Sequence, residues 1–335
     1  MTPDALSPHQ GAAGPEARNA AARRAVMARD GYMIVPQLLS AAEVARLRQT
    51  LLAHFARRWN WEGLGKHQPH ASSHVPAMGW IFAHPAIVQV FRDITGSRHP
   101  VFTGNCDAHM NMLSWWHKDT GESQGGCFEG DYYASRDIPV FRAGIYLQDH
   151  DQDGHGLQVR PGSHHTRSPL EGPVETLRTR AGDVVFFDIR LSHAGQLADP
   201  FETLLLRADR RLGAPRVTHG IKEGWRLLRG KQSKLSLFFT YGAPVAATDQ
   251  FCAYEMASRR RSGAPEAAGL SAELHNLLMA QDVSCNPGSG PAKPGRAGRR
   301  QPGFAPFIFR QCPLAQFRPL QPGASSSRGR GRPKK

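Results

Sequence analysis

Two tryptophans precede a histidine and an aspartate two residues apart in Trp115-Trp116-His117-Lys118-Asp119. In an extended segment, side chains at i and i+2 lie on one face, so an imidazole and a carboxylate could share one cation. Alone, the pair reads equally well as a solvated ion pair or a buried His–Asp hydrogen bond. A third ligand comes from AGDVVFFDIRLSHAG, where an apolar strand over Val184–Phe187 leads to His193. His117, Asp119 and His193 together form the two-histidine, one-carboxylate set that suits non-haem Fe(II) and leaves three coordination positions open. Zinc accepts the same donors, but structural zinc sites are closed by four protein ligands.

The elements that would position such a site are strands. Between Val101 and Tyr241 the chain consists of short β-rich runs punctuated by Gly, Pro and Asp: VFTGNCDAHMNM, VFRAGIYLQ, GDVVFFDI and KLSLFFTYG. That texture implies a mainly β sandwich or barrel. Upstream, DGYMIVPQLLSAAEVARLRQTLLAHF reads as a strand followed by a helix. Ser40 and Glu43 have capping-box spacing there, and Val44, Leu47, Leu51 and Phe55 form an apolar stripe. A last helix is expected over 271–282. Residues 1–22 and 283–335 are expected to be disordered on composition, leaving a folded domain over 23–282.

The formal charge of +14 is concentrated at one end. From Val283 onward there are 11 Lys and Arg and no acid, which leaves +3 for the remainder. The body is therefore nearly balanced, and the basic character belongs to a tail. Its last residues, RGRGRPKK, carry an Arg-Gly-Arg-Pro core resembling an AT-hook, which could enter the minor groove of A·T-rich DNA. FAPFIF (304–309) is an apolar island in the same tail. Five widely spaced cysteines without a CxxC pair argue against a disulfide framework and a zinc ribbon. No apolar run approaches bilayer length and no signal-peptide core is present, so a soluble intracellular, cytoplasmic protein without a membrane partner is expected. The Ala- and Arg-rich start leaves organelle targeting open.

These motifs resemble the phytanoyl-CoA dioxygenase family of Fe(II)/2-oxoglutarate oxygenases over most of residues 30–241. WWHKD is similar to the family's WHxD strand, IYLQDHDQDGHGLQVRPGSHH to its segment ending in PGSH, and GDVVFFDIRLSHAG to its distal-histidine strand. The resemblance implies a double-stranded β-helix, or jelly roll, with flanking N-terminal helices and iron at one mouth. It also implies 2-oxoglutarate as co-substrate, oxidised to succinate and CO2 while a C–H bond of a small or medium organic substrate is hydroxylated. Asp119 favours hydroxylation, because related halogenases carry a small residue at that position.

One part of the pattern departs from the family. Its 2-oxoglutarate-binding basic residue falls about ten positions after the distal histidine, where this chain has Thr203 and Leu204. Arg207 is one candidate replacement. Lys234 and Ser236, which share a face of the next strand, are the preferred pair, since a strand positions a ligand group better than a loop. Lys supplies charge without the bidentate fork of Arg. An insertion at about 208–230 is either a lid whose basic residues meet an anionic substrate or a solvated loop. The missing Arg also leaves open a jelly-roll binding protein without oxygenase activity. Asp149, Asp151 and Asp153 mimic an EF-hand opening, but Arg160 stands where the bidentate Glu belongs. His150, His155, His164 and His165 are expected to be loop histidines; Tyr146 could contact co-substrate, with packing as its default role.

Overall fold

A capping box opens the second helix as the spacing requires. The Ser40 backbone N–H donates to Glu43 Oε2 at 2.8 Å, and the Glu43 N–H donates to Ser40 Oγ at 3.3 Å. The stripe Val44, Leu47, Leu51 and Phe55 is buried. The computed structural model describes residues 15–57, 61–62, 64–121, 126–135, 138–150, 156–261 and 269–285. The apolar island at 304–309 and the Arg-Gly-Arg-Pro segment lie outside them.

Helix α1 (Pro15–Asp30), strand β1 (Tyr32–Val35) and helix α2 (Ala41–Arg57) come first. They are followed by β2 (Trp61–Glu62), β3 (Gly65–Pro69), the short helices α3 (Ala71–His74) and α4 (Gly79–Phe82), and α5 (Pro85–Thr95). Strands β4 (Val101–Met110), β5 (Val140–Tyr146), β6 (Gln158–Val159), β7 (Glu175–Thr176), β8 (Val184–Asp188) and β9 (His193–Ala194) carry the middle of the chain. Helices α6 (Pro200–Leu212) and α7 (Pro215–Leu228) intervene before β10 (Leu235–Gly242). Helices α8 (Ala246–Arg261) and α9 (Ala272–Ala280) and strand β11 (Ser284–Cys285) close the described chain. Helix α1 begins inside the stretch expected to lack structure. Arg23 of α1 meets Asp93 of α5 at 2.6 Å, and Met27 is buried.

The main sheet runs β1-β8-β5-β10-β4-β3-β2, with β11 added in parallel to β4. A smaller sheet runs β7-β6-β9, and its edge is extended by an isolated bridge between His117 and His193. Strand alternation splits the large sheet into two chemically different faces. On β10, Leu235, Leu237, Phe239 and Tyr241 join Ile145 and Phe186 in a core shared with Leu47, Leu51, Phe91 and Leu274 of the helices. Phe238 of β10 turns the other way. With Tyr146, Val185 and Phe187 it packs on Leu157, Val159 and Leu177 around the small sheet. Two sheets facing one another across this inner layer make the expected jelly roll. Among the described residues helix nevertheless exceeds strand, 43% against 21%, so the β-structure is the site's scaffold within a helical jacket. Among the described residues, no helix is long and apolar enough to cross a membrane.

The insertion after β9 is a helical hairpin. Asp199 and Glu202 form a complete capping box that starts α6, and Gly213 (φ 58°) ends it in the left-handed region where glycine carries no Cβ penalty. The hairpin is tied to the barrel by Lys222, whose Nζ donates to the Asn111 carbonyl at 2.8 Å. Leu205 and Leu206 pack with Leu64 and Leu113.

Candidate metal centre

His117 and His193 are set opposite each other by reciprocal backbone hydrogen bonds, each N–H donating to the other's carbonyl at 3.0 Å. The ring centroids lie 4.3 Å apart. Asp119 is delivered by a turn that follows the bridge, not by a continuing strand, so the face-sharing expected from the i, i+2 spacing is not the cause of the convergence. Its backbone N–H donates to the Ile189 carbonyl at 2.9 Å. Between the two ligands Lys118 turns away, its Nζ donating to the carbonyls of Ser163 at 2.6 Å and Arg190 at 2.7 Å. That anchoring sends its neighbours' side chains inward.

Asp119 Oδ1 lies 3.7 Å from His117 Nε2 and 3.8 Å from His193 Nε2. One ligand atom from each of the three residues falls within 4.8 Å of the others. Both imidazoles are oriented by their remaining nitrogens. His117 Nδ1 donates to the Trp115 carbonyl at 2.6 Å, and His193 Nδ1 donates to the Leu191 carbonyl at 3.0 Å. With Nδ1 protonated, each Nε2 presents its lone pair toward Asp119. Burial, with His117 beside it, lowers His193 to about 4, so its ring is neutral at physiological pH and available as a ligand. Two imidazole nitrogens and a carboxylate oxygen, converging with their orientation fixed, fit a ferrous ion bound on one face of its octahedron.

Arg142 governs the far side of Asp119. Its Nη1 donates to Asp119 Oδ2 at 2.9 Å, and its Nη2 donates to Asp107 Oδ2 at 2.5 Å. The fork thereby occupies Oδ2 and leaves Oδ1 facing the histidines. Asp107 Oδ1 in turn meets His67 Nε2 at 3.3 Å. Burial alone would raise both carboxyls; Arg142 beside Asp119, and His67 with Arg142 beside Asp107, hold them below the usual carboxylate range. Both are therefore ionised. Arg142 sits on β5 opposite Thr240 of β10 and Phe187 of β8, in the inner face of the sheet. The signal for it in the sequence was a lone charge inside the apolar run VFRAGIY, since a buried guanidinium requires carboxylate partners.

Ser236 lies on the same inner face, directly opposite Tyr146 of β5 and His109 of β4. Among the described residues, the buried Tyr146 hydroxyl has no hydrogen-bond partner. Burial raises it well above the usual phenol range, so it remains a donor. Lys234, just before β10, places its Nζ 2.8 Å from Gln196 Oε1, and its backbone N–H donates to Asn111 Oδ1 at 2.8 Å. An ammonium, a hydroxyl and an unpartnered phenol along adjacent strand ends suit a carboxylate of 2-oxoglutarate. Arg207 instead is exposed on α6. Gln196 is the member of this region that sequence reasoning passed over.

The other histidines stay apart from the triad. His150 pairs with Gln148 at 2.9 Å, and His164 and His165 both reach the Ala28 carbonyl. His155, Asp151 and Asp153 lie outside the described residues. Trp116 is buried with the Arg160 guanidinium 4.4 Å above its ring.

Solved structures resemble this chain at low identity. SnoN, a non-heme α-ketoglutarate-dependent epimerase from nogalamycin biosynthesis, is 19% identical, covering 69% of this chain and 89% of its own, with a TM-score of 0.47. SnoK, a carbocyclase of the same biosynthesis, is 16% identical over 72% of this chain and 87% of its own, with a TM-score of 0.46. HygX from Streptomyces hygroscopicus, crystallised with nickel and 2-oxoglutarate bound, is 15% identical over 67% and 86%, with a TM-score of 0.47. No curated protein matches the chain in sequence. The profile for Phytanoyl-CoA dioxygenase (PhyH) matches residues 27–197. Covering just over half of the 335 residues and spanning His117, Asp119 and His193, that match places the chain in the phytanoyl-CoA dioxygenase family.

Proposed function

We propose that this protein is an Fe(II)- and 2-oxoglutarate-dependent oxygenase that hydroxylates a small or medium-sized organic substrate, releasing succinate and CO2. The observation that carries the reading is the convergence of His117 Nε2, His193 Nε2 and Asp119 Oδ1, with each imidazole's other nitrogen held by a backbone carbonyl. When bound, ferrous ion and 2-oxoglutarate supply the oxidising power, coupling dioxygen reduction to decarboxylation of the co-substrate. The chain supplies position, charge and dryness. Lys234, Ser236 and Tyr146 bind the distal carboxylate of 2-oxoglutarate in this reading. Phe187 and Phe238 line the inner face and exclude water. A cradle for Phe238 is kept by Gly144, where an added Cβ would lie 2.9 Å from the ring. Asp119 occupies the position that a halide ligand would need, which supports hydroxylation over halogenation.

Two measurements test this reading: binding of 2-oxoglutarate to the Fe(II) protein, and its conversion to succinate under air. Wild type is expected to do both, and His117→Ala neither. An intact wild-type protein that takes up Fe(II) but never binds 2-oxoglutarate would instead be a jelly-roll binding protein.

A further inference from the structure

Seven of the twelve large apolar residues exposed among the described residues belong to the hairpin α6–α7. On α7 they recur as Val217, Ile221, Trp225 and Leu228, a spacing that aligns one stripe along a helix. Such a stripe is ordinarily the buried face. Here the buried side is the adjoining one, Thr218, His219 and Lys222, and the stripe looks outward with Leu228 83% exposed. Leu204 and Leu212 of α6 extend the apolar surface, Leu212 being 72% exposed.

The charges around this surface are of one sign. Arg207, Arg210, Arg211, Arg216, Arg229 and Lys231 are exposed. All three acids of the hairpin are engaged: Glu202 is buried against Lys222 at 3.3 Å, the half-buried Asp209 accepts from Thr218 Oγ1 at 3.2 Å, and the half-buried Glu223 holds Arg226 at 2.8 Å. The Arg229 guanidinium lies 4.3 Å above the Trp225 ring. An apolar ridge carrying an indole and rimmed by arginines has the chemistry of a helix that lies in a lipid headgroup layer.

We propose that the α6–α7 hairpin docks this protein on an anionic lipid surface, with Val217, Ile221, Trp225 and Leu228 entering the acyl boundary and the six exposed bases meeting headgroup phosphates and carboxylates. Charge complementarity selects this occupant. A second copy would bring six like charges against six within screening distance, and the chain's own tail adds 11 more bases without an acid. Nucleic acid would satisfy the arginines but leave the aliphatic stripe with nothing to bury against.

The test uses the full-length chain, so that the basic tail is identical in every sample. Sedimentation with phosphatidylcholine vesicles, with and without phosphatidylserine, is compared for wild type, Ile221→Ser/Leu228→Ser and Arg211→Glu/Arg216→Glu. The altered residues are exposed, and unchanged far-UV circular dichroism and Tm confirm folding. Wild type is expected to sediment with the anionic vesicles only. Losses of at least about tenfold are expected for the apolar pair and about fivefold per reversed base at low salt. Tryptophan emission should shift blue on binding, and Trp225→Phe should remove that shift although five other tryptophans remain. Variants that sediment like wild type would overturn the proposal, assigning any vesicle binding to the tail. So would a wild type that ignores vesicles, a dimer that Leu228→Ser dissolves, or duplex DNA binding that the arginine pair alone controls.

Discussion

Replacing Arg142 by Met perturbs the centre at its most heavily charged point. The guanidinium holds two buried carboxylates at once, Asp119 at 2.9 Å and Asp107 at 2.5 Å. Removing one partner from a buried ion pair costs about 3–5 kcal/mol, because the remaining charge is left desolvated. For a domain of this size that is a fall in Tm on the order of 10 °C. The pH dependence carries a sign. In wild type the folded-state pKa of each carboxyl is depressed, so the stability it contributes is present above the unfolded carboxylate pKa and is lost as pH falls through the folded value. In Arg142→Met the depression weakens at both carboxyls, although His67 still lowers Asp107 and the two histidines still lower Asp119, so the deficit is largest at neutral pH and shrinks on acidification. Metal binding separates position from charge. Deleting a cation would, by Coulomb's law alone, tighten binding of Fe(II). Loss of the fork that turns Asp119 Oδ1 toward the histidines loosens it, by about 10- to 100-fold for groups that orient a ligand. Thermal unfolding of the metal-free protein across pH, beside anaerobic Fe(II) calorimetry, reads both. An unchanged Tm, or tighter Fe(II) binding by the variant, would refute this account of Arg142.

Further outcomes are expected. Tyr146→Phe removes one donor and should weaken 2-oxoglutarate binding by about 1 kcal/mol while leaving Fe(II) affinity unchanged, as isothermal titration would show. Lys234→Ala should weaken 2-oxoglutarate further, and Arg207→Ala should not. Gly31 has φ 78°, and an added Cβ would fall 2.4 Å from His164 Nδ1 and 2.9 Å from Leu191, so Gly31→Ala should lower Tm by several degrees. Burial lowers His164 to about 4. Its stabilising effect is therefore present above the unfolded histidine pKa and is lost as pH falls from about 6.5 to 4. A His164→Asn variant should show a flatter stability profile over that window in chemical denaturation.

The metal ligands were legible because their identities and order along the chain are local facts, and so was the capping box at Ser40. The manner of convergence was not. A turn after the His117–His193 bridge delivers Asp119, and such a turn depends on Lys118 reaching Ser163 and Arg190 from far along the sequence. Arg142 announced a buried charge, yet its partners Asp107 and Asp119 lie 35 and 23 residues away. Pairing over that distance is set by sheet register. The insertion after His193 reads from sequence as a basic lid or a solvated loop because its charge overshadows its period, although Val217, Ile221, Trp225 and Leu228 carry a helical repeat. Helix α1 was missed for a related reason. An Ala- and Arg-rich segment is compatible with either disorder or helix until Met27 finds a core.

Anaerobic addition of 2-oxoglutarate to the Fe(II) protein, followed by visible absorption, tests the central claim most directly. A metal-to-ligand charge-transfer band should appear in wild type, vanish in His117→Ala and require more 2-oxoglutarate in Lys234→Ala. Stoichiometric Fe(II) binding with no such band at any 2-oxoglutarate concentration would contradict the account.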